Sequence, residues 1–376
     1  MIEGLYLHIP FCQRRCFYCD FNTYEGLEKS IPEYHQALLE DMRLSAPEAA
    51  GGGLKSVFFG GGTPSLLPAD LVAGLVGRAR GIFGFEPGVE ITLEANPGTV
   101  TPEKFRDLLR AGVNRLSMGF QAAQDRHLES LGRVHGAADS LQAWEWARRA
   151  GFENLSLDLM FGLPGQTLEE WEESLKWALD LDPPHLSFYG LTIEKGTRYH
   201  QWWQSGRLQL PEEGLQADMY ESGIRILKEH GLEQYEISNF ARPGFRSRHN
   251  QLYWRNLPTL GIGAGAWSFL EGRRFSRVKD PREYALRVRE GGIPVEESER
   301  LEPKKARGEA AYLGLRMLDG IDLLEWKDRQ GVEWEEEFGE QTKNLTKRGL
   351  LEVQGGKIRL TPRALPLANE VFCEFV

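Results

Sequence analysis

Leu5-Tyr6-Leu7-His8-Ile9-Pro10-Phe11-Cys12-Gln13-Arg14-Arg15-Cys16-Phe17-Tyr18-Cys19-Asp20-Phe21 holds three of the chain's four cysteines, all three within eight residues. A short apolar run, Leu5 to Ile9, delivers them, and Pro10 ends it. A cysteine-poor chain that concentrates its thiols this way has a chemical use for them, and a metal is the first candidate. The spacing C-x3-C-x2-C leaves three readings open, the plainest being three unrelated core cysteines. Structural zinc needs four ligands in a closed tetrahedron, and His8 can supply the fourth. Three thiolates on three irons of a [4Fe–4S] cluster instead leave one iron open to a small molecule.

From this stretch outward, strand-like and helix-like segments alternate. Ser30 and Glu33 have capping-box spacing, with Pro32 in the first turn of a helix that turns Tyr34, Ala37, Leu38 and Met42 to one face. A strand at 56–59 ends in Gly60-Gly61-Gly62-Thr63-Pro64, and a helix follows at about 69–80. A strand at 90–93 ends at Glu94. The next helix starts at Thr101-Pro102-Glu103, faces Phe105, Leu108 and Leu109 inward and stops at Gly112. The strand at 115–120 ends at Gln121, and a helix over 137–149 leads to a strand at 155–161. Thr167 and Glu170 form a second capping box, and Leu168, Trp171, Leu175 and Leu179 mark the buried stripe behind it. A strand at 186–193 and a helix at 212–230 complete six strand–helix units, which imply a parallel α/β array. Chemistry in such arrays sits at the carboxyl ends of the strands. Glu94, Gln121 and Asp158 lie at or near three of those ends, so polar groups from separate strands converge on one mouth.

After residue 240 the rhythm breaks. Residues 242–254 read as a loop dense in His, Asn, Arg and aromatics, 259–269 as a Gly-rich apolar piece, and 296–304 as a charged linker. The remainder reads as helices at 304–318 and 333–348, a strand pair around Gly355-Gly356 and a last helix after Pro362, the order of a small winged-helix-like module. Cys373 is expected to be a buried cysteine of that helix.

With 376 residues, 41% of them hydrophobic, the chain supports one large domain and a smaller one. A net charge of −10 supplies no basic field for nucleic acid, and the acidic run 333–340 argues against DNA binding by the C-terminal module. No apolar run is long enough for an integral membrane segment, and residues 1–10 lack the parts of a secretory signal. Free clustered thiols suit a reducing, cytoplasmic compartment.

C-x3-C-x2-C with Tyr18 before the last cysteine resembles the radical S-adenosylmethionine (radical SAM) superfamily. The preceding Leu-Tyr-Leu-His-Ile-Pro-Phe narrows the resemblance to the oxygen-independent coproporphyrinogen oxidase branch. It implies a partial (β/α)6 TIM-type barrel over 1–240, a family-specific extension over 241–295 and a winged-helix-like α+β domain over 296–376. It also implies a [4Fe–4S] cluster on Cys12, Cys16 and Cys19 whose open iron binds SAM and whose electron cleaves it, so that a flavodoxin- or ferredoxin-like reductant protein is needed. Tyr6, Gly61, Gly62, Thr63, Glu94, Gln121, Arg133 and Asp158 match SAM-contacting positions, with Phe17 and Tyr18 near adenine. Glycines at 60–62 let backbone N–H groups approach a ligand closely. A carboxylate suits ribose hydroxyls or the methionine ammonium, and Arg133 suits the carboxylate of SAM.

Two features depart from the oxidase. Phe21 stands where the oxidase has a further cysteine, and the N-terminal extension is shorter. In their place His249-Asn250-Gln251-Leu252-Tyr253-Trp254 resembles the H-N-x-x-Y-W signature of the HemW group of haem chaperones. That resemblance implies haem binding, with His249 suited to the iron, and delivery to a haem-requiring acceptor protein. It favours a chaperone able to cleave SAM but lacking coproporphyrinogen dehydrogenase activity. The alternatives are the dehydrogenase itself, which decarboxylates propionate side chains, and, behind it, a related radical SAM methyltransferase or haem-degrading enzyme.

Overall fold

In the computed structural model, which describes residues 1–48 and 52–376, one sheet runs through most of the chain. Its strands are β1 (Gly4–Ile9), β2 (Leu54–Gly61), β3 (Phe85–Ala95), β4 (Arg115–Gln121), β5 (Asn154–Phe161), β6 (His185–Gly190), β7 (Glu233–Glu236), β8 (Asn239–Ala241), β9 (Thr259–Ile262), β10 (Trp267–Leu270), β11 (Arg273–Arg277) and β12 (Val295–Arg300). They lie side by side in the order β12-β11-β10-β9-β1-β2-β3-β4-β5-β6-β8-β7. β1 to β6 are parallel neighbours in chain order, as the alternation of strands and helices requires. Beyond β6 the sheet turns antiparallel through β8 and β7, and β9 joins the free side of β1 in parallel. Among the described residues β7 and β12 share no hydrogen bonds, so the sheet is open.

The outer faces of β1–β6 bury Leu5, Leu7, Val57, Phe59, Leu93, Leu116, Met118, Leu155 and Leu157 against the helices. The opposite faces carry Tyr6, Ser56, Glu94, Ser117, Ser156 and Asp158, because successive side chains on a strand alternate sides. The core therefore lies between sheet and helices, and the concave interior is polar.

Local signals explain most of the helices. Thr101 accepts the N–H of Lys104 at 3.2 Å, and Thr167 and Glu170 form the expected reciprocal cap. Ser30 does not cap. A 3-10 turn, Glu28–Ser30, runs straight into the helix Ile31–Ser45, which puts Ser30 in helical backbone and sends its hydroxyl back to the Leu27 carbonyl. Leu109 faces solvent at 36% exposure, since Phe105 and Leu108 alone fill the contact.

Three further segments differ from the sequence expectation. Arg248–Trp254 is a helix rather than a loop. Ser247 caps it, and Glu90 of β3 accepts the backbone N–H groups of Arg248 and His249 at 3.1 Å each. A tertiary carboxylate is invisible to local pattern. The charged stretch expected to be a linker begins as β12, an edge strand paired with β11 and exposed along most of its length, so apolar alternation never marked it. Cys373 is exposed, because Val371, Phe372 and Phe375 supply the buried contacts around it.

The extension is fastened to the rest of the molecule by a buried ion pair. Arg277 of β11 donates to Asp41 at 3.0 and 3.1 Å and to Ser45 at 2.7 Å, with the pair 1% and 0% exposed. The C-terminal module packs helices Pro303–Leu315, Leu323–Gln330 and Trp334–Lys347 with a three-stranded sheet around Trp326, Trp334, Phe338 and Phe375.

Candidate cluster and cofactor centre

The cysteine loop leaves β1 at Pro10 and is held by its main chain. Tyr24 N–H donates to the Pro10 carbonyl at 2.7 Å, Phe17 N–H to Leu131 at 3.0 Å, and Tyr199 N–H to Phe17 at 3.0 Å. Cys12 is buried, while Cys16 and Cys19 are half-buried. The Thr63 hydroxyl donates to Cys12 Sγ and Arg133 Nη1 to Cys16 Sγ, each at 3.6 Å. Burial raises the Cys12 thiol to about 11.

The glycine run at the end of β2 lies directly beneath this loop. A Cβ on Gly62 would stand 2.7 Å from the Phe11 carbonyl oxygen and 3.0 Å from Cys12 Sγ. Gly61, at φ 115°, passes under His8, whose ring would meet a Cβ at 2.6 Å. Its N–H donates to Glu94 at 3.1 Å. These close approaches exclude side chains at both positions.

Glu94 and Asp158 share the mouth. Burial, then the neighbouring Asp158, raises Glu94 to about 8. Burial also raises Asp158, opposed by the Ser117 hydroxyl, which donates to its two oxygens at 2.9 and 3.2 Å. Gln121 ends β4 in left-handed backbone at φ 69°. Arg133 reaches the same region from the turn after Asp125–Leu131, with Nη2 donating to the Gly119 carbonyl at 2.8 Å and Nε unpartnered. Burial opposes its charge, yet Cys16 and Tyr18 beside it leave its pKa raised.

Phe17 and Tyr18 are half-buried against Trp202 and Tyr199. Tyr6, by contrast, lies over Gly60 with its hydroxyl 3.0 Å from His8 Nδ1. His8 Nε2 lies 2.8 Å from the Asn22 carbonyl, which only accepts, so that nitrogen carries the proton and Tyr6 is the donor to Nδ1. Burial lowers His8 to about 4 and keeps it neutral. Both its nitrogens are therefore engaged, which removes it as a fourth ligand to a closed zinc site.

His249 is set apart from these groups, beneath Tyr6. It is 1% exposed, stacks on Phe58 at 4.9 Å, and places Nδ1 2.8 Å from the Ser56 hydroxyl and Nε2 3.2 Å from the Tyr253 hydroxyl. Burial, with the Arg115 charge, lowers it to about 3. Two cavities flank its helix. One of about 310 Å³ opens at the mouth, lined by Tyr6, His8, Phe21 and Glu94; one of about 550 Å³ lies toward the C-terminal module, lined by Phe269, Arg274, Glu309 and Tyr312. Tyr253 and Trp267 line both. Ser117 and Trp267 were not anticipated. The alternation Arg115-Leu116-Ser117-Met118-Gly119-Phe120-Gln121 carries the signal for Ser117, since every second residue is polar or Gly.

An open β/α array with three loop thiols and a glycine-floored mouth defines a radical SAM protein, and comparison agrees: residues 6–178 match the model of the radical SAM superfamily, and residues 301–367 that of the HemN C-terminal domain. The fold is that of the radical SAM coproporphyrinogen III oxidase HemN from Escherichia coli, with a TM-score of 0.85 over 100% of this chain and 90% of that one at 24% identity. Among curated relatives, Heme chaperone HemW of Bacillus subtilis is 38% identical across 100% of this chain and 99% of that protein. Heme chaperone HemW of Escherichia coli is 42% identical across 74% of each. The chain belongs to the HemW family.

Membership brings a [4Fe–4S] cluster and SAM, and the residues fit them. Cys12, Cys16 and Cys19 are free thiols on one loop, a donor set that suits a cluster with one open iron. A reduced cluster supplies the electron that splits the sulfonium of SAM. The chain's own part is to place donors around that event. With those groups bound, Thr63 and Arg133 would steady two sulfurs, the Gly61–Gly62 backbone would close the floor, and Glu94 and Asp158 would offer acceptors for hydroxyl or ammonium groups.

Proposed function

We propose that the protein is a haem chaperone that binds haem beside its cluster and SAM and delivers it to a haem-requiring acceptor protein. The observation that carries this reading is similarity along the whole chain to the Bacillus subtilis protein named for that role. Phe21 in place of the oxidase's extra cysteine supports it, as does the helix bearing His249 and Tyr253 between two cavities. On this reading haem enters the larger cavity. Tyr253 then turns aside from His249, freeing Nε2 for the iron.

The cluster takes its electron from a flavodoxin- or ferredoxin-like protein. Arg14 and Arg198 both stack on Phe17, 5.4 and 5.2 Å from the ring centre, and present two cations beside Cys16 on a chain of net charge −10. An acidic carrier is the complementary partner. Free clustered thiols suit work in the reducing cytoplasm; among the described residues no helix is long and apolar enough to cross a membrane.

A paired assay tests the reading. Anaerobically reconstituted protein is offered coproporphyrinogen III with SAM and a reductant, and, separately, haem followed by absorption. Haem uptake without decarboxylation is the expected result. Protoporphyrinogen formation would make the protein the dehydrogenase. Haem uptake unchanged in His249→Ala would remove His249 as the ligand.

A further inference from the structure

The polar face of β4 begins with a charge that no ligand reading uses. Arg115 is 2% exposed, yet its Nε has no hydrogen-bond partner, and no carboxylate closes on its guanidinium as an ion pair among the described residues. It pairs across the sheet with Thr92 of β3 and Asn154 of β5 and so points into the concave interior with them. Two residues further on, in the same register and on the same face, stand Glu94, Ser117 and Ser156; Asp158 follows on β5. Two strand residues span about 7 Å, which an extended arginine side chain covers.

The titratable groups facing Arg115 are engaged elsewhere, whereas the Thr92 hydroxyl and Asn154 Oδ1 level with it have no partner. On the side of the motif helix, Glu90 is taken up by the N–H groups of Arg248 and His249, and His249 is neutral. On the side of β6, His185 sits between the Ser156 and Tyr235 hydroxyls, at 2.7 and 2.9 Å, and burial keeps it neutral. Toward the mouth stand the two carboxylates, and the Arg115 charge pulls both downward in pKa against the larger effect of burial. Arginine does not escape burial by losing its proton. A buried guanidinium without a close partner is costly to keep where an apolar side chain would pack.

We propose that Arg115 is a positioning residue for SAM: a fixed positive charge one layer below the mouth that, with Ser117, favours the charged form of the Glu94–Asp158 pair and aims it at the ligand. The role rests on those two carboxylates contacting SAM. Without that charge the pair would keep its proton to higher pH, and a cationic, hydroxyl-rich ligand would meet one acceptor fewer over a wider pH range.

The test measures SAM affinity by equilibrium dialysis on the anaerobically reconstituted holo-protein, across about pH 6 to 9, together with iron content and melting temperature. Arg115→Met is expected to keep its iron, to weaken SAM about tenfold at neutral pH, and to move the pH of half-maximal binding upward by about one unit. Arg115→Lys is expected to restore most of both. Affinity and pH profile unchanged in Arg115→Met would overturn the proposal, and so would a loss equal at every pH that lysine does not rescue. Should the methionine variant fail to fold, Ser117→Ala decides, because it removes the second restraint on Asp158; a pH profile left unmoved there counts against the proposal. Glu94→Gln with Asp158→Asn binding SAM normally would sink the underlying reading of the site instead.

Discussion

The cysteine loop and the helix Arg248–Trp254 are both short and rich in chemically able side chains, and both touch the environment of Tyr6, yet they are held in different ways. The loop is fixed through its backbone, by N–H donors to Pro10, Leu131 and Phe17, while Cys16 and Cys19 stay half-buried and open to a ligand. The helix, whose first N–H groups go to Glu90, also spends its side chains. Ser247 is spent on its cap, and His249 is spent on Ser56 and Tyr253. A segment fixed by main chain alone keeps its side chains for chemistry, whereas one that also spends its side chains must give up a contact before it can bind.

The sharpest way to break that comparison is at the loop. Cys16→Ala is expected to abolish stable cluster assembly, read as loss of bound iron and of the thiolate-to-iron absorption, while the melting temperature of the cluster-free protein barely moves. Cys373→Ala, at an exposed position of the C-terminal segment, is the matched control and is expected to retain full iron. A cluster surviving in Cys16→Ala would mean that the loop thiols are not the ligands.

Next in size is the tie that carries the extension. Asp41→Ala leaves Arg277 buried at 1% exposure without its carboxylate and takes an acceptor from Tyr284. Breaking a buried pair this way costs about 3–5 kcal/mol. Denaturant unfolding is expected to show that loss, with iron content preserved in whatever protein folds. A cost below about 1 kcal/mol would mean that water replaces the carboxylate and the tie is weak.

A third test uses pH, since the mouth carboxylates belong to neither mode of fixation. Glu94 lies at about 8 in the folded protein against an ordinary 4.5. The folded state therefore binds the proton more tightly than the unfolded one. The stability so gained is complete below pH 4.5 and is lost as pH rises through 8. A ligand that needs the carboxylate behaves inversely, gaining affinity up to about pH 8 and falling up to about tenfold per unit below it. Melting curves with and without SAM are expected to diverge as pH rises toward 8. Parallel curves would show that Glu94 does not ionise on binding.

What the sequence disclosed follows the same division. The six parallel strands, the Thr167–Glu170 cap and the thiol spacing are local or periodic, and they were legible. The helix Arg248–Trp254 was not, because its start is completed by Glu90, far away in sequence, and β12 was not, because an exposed edge strand has no apolar side to alternate. At the site, residue types told which groups share the mouth but not which are free. Nothing in H-N-x-x-Y-W signals that Ser56 and Tyr253 already hold both nitrogens of His249.

The smallest expected effect tests that last point. A neutral imidazole has one N–H, so of the two hydroxyls on His249 one must donate and the other accept. Ser56→Ala removes the partner of Nδ1 at 2.8 Å from a ring that is 1% exposed. The cost is about 1 kcal/mol if water takes the place of the hydroxyl and up to about 3 if the nitrogen is left bare. Tyr253→Phe removes the partner of Nε2 from a side chain that borders both cavities, where water can follow, and is expected to cost less. If His249 is held from both sides, the double variant costs more than the sum of the two, because the ring then loses its orientation as well as its partners. Strict additivity in denaturant unfolding would mean that Phe58 stacking alone orients the ring, and that His249 is freer to reach a ligand than its hydrogen bonds imply.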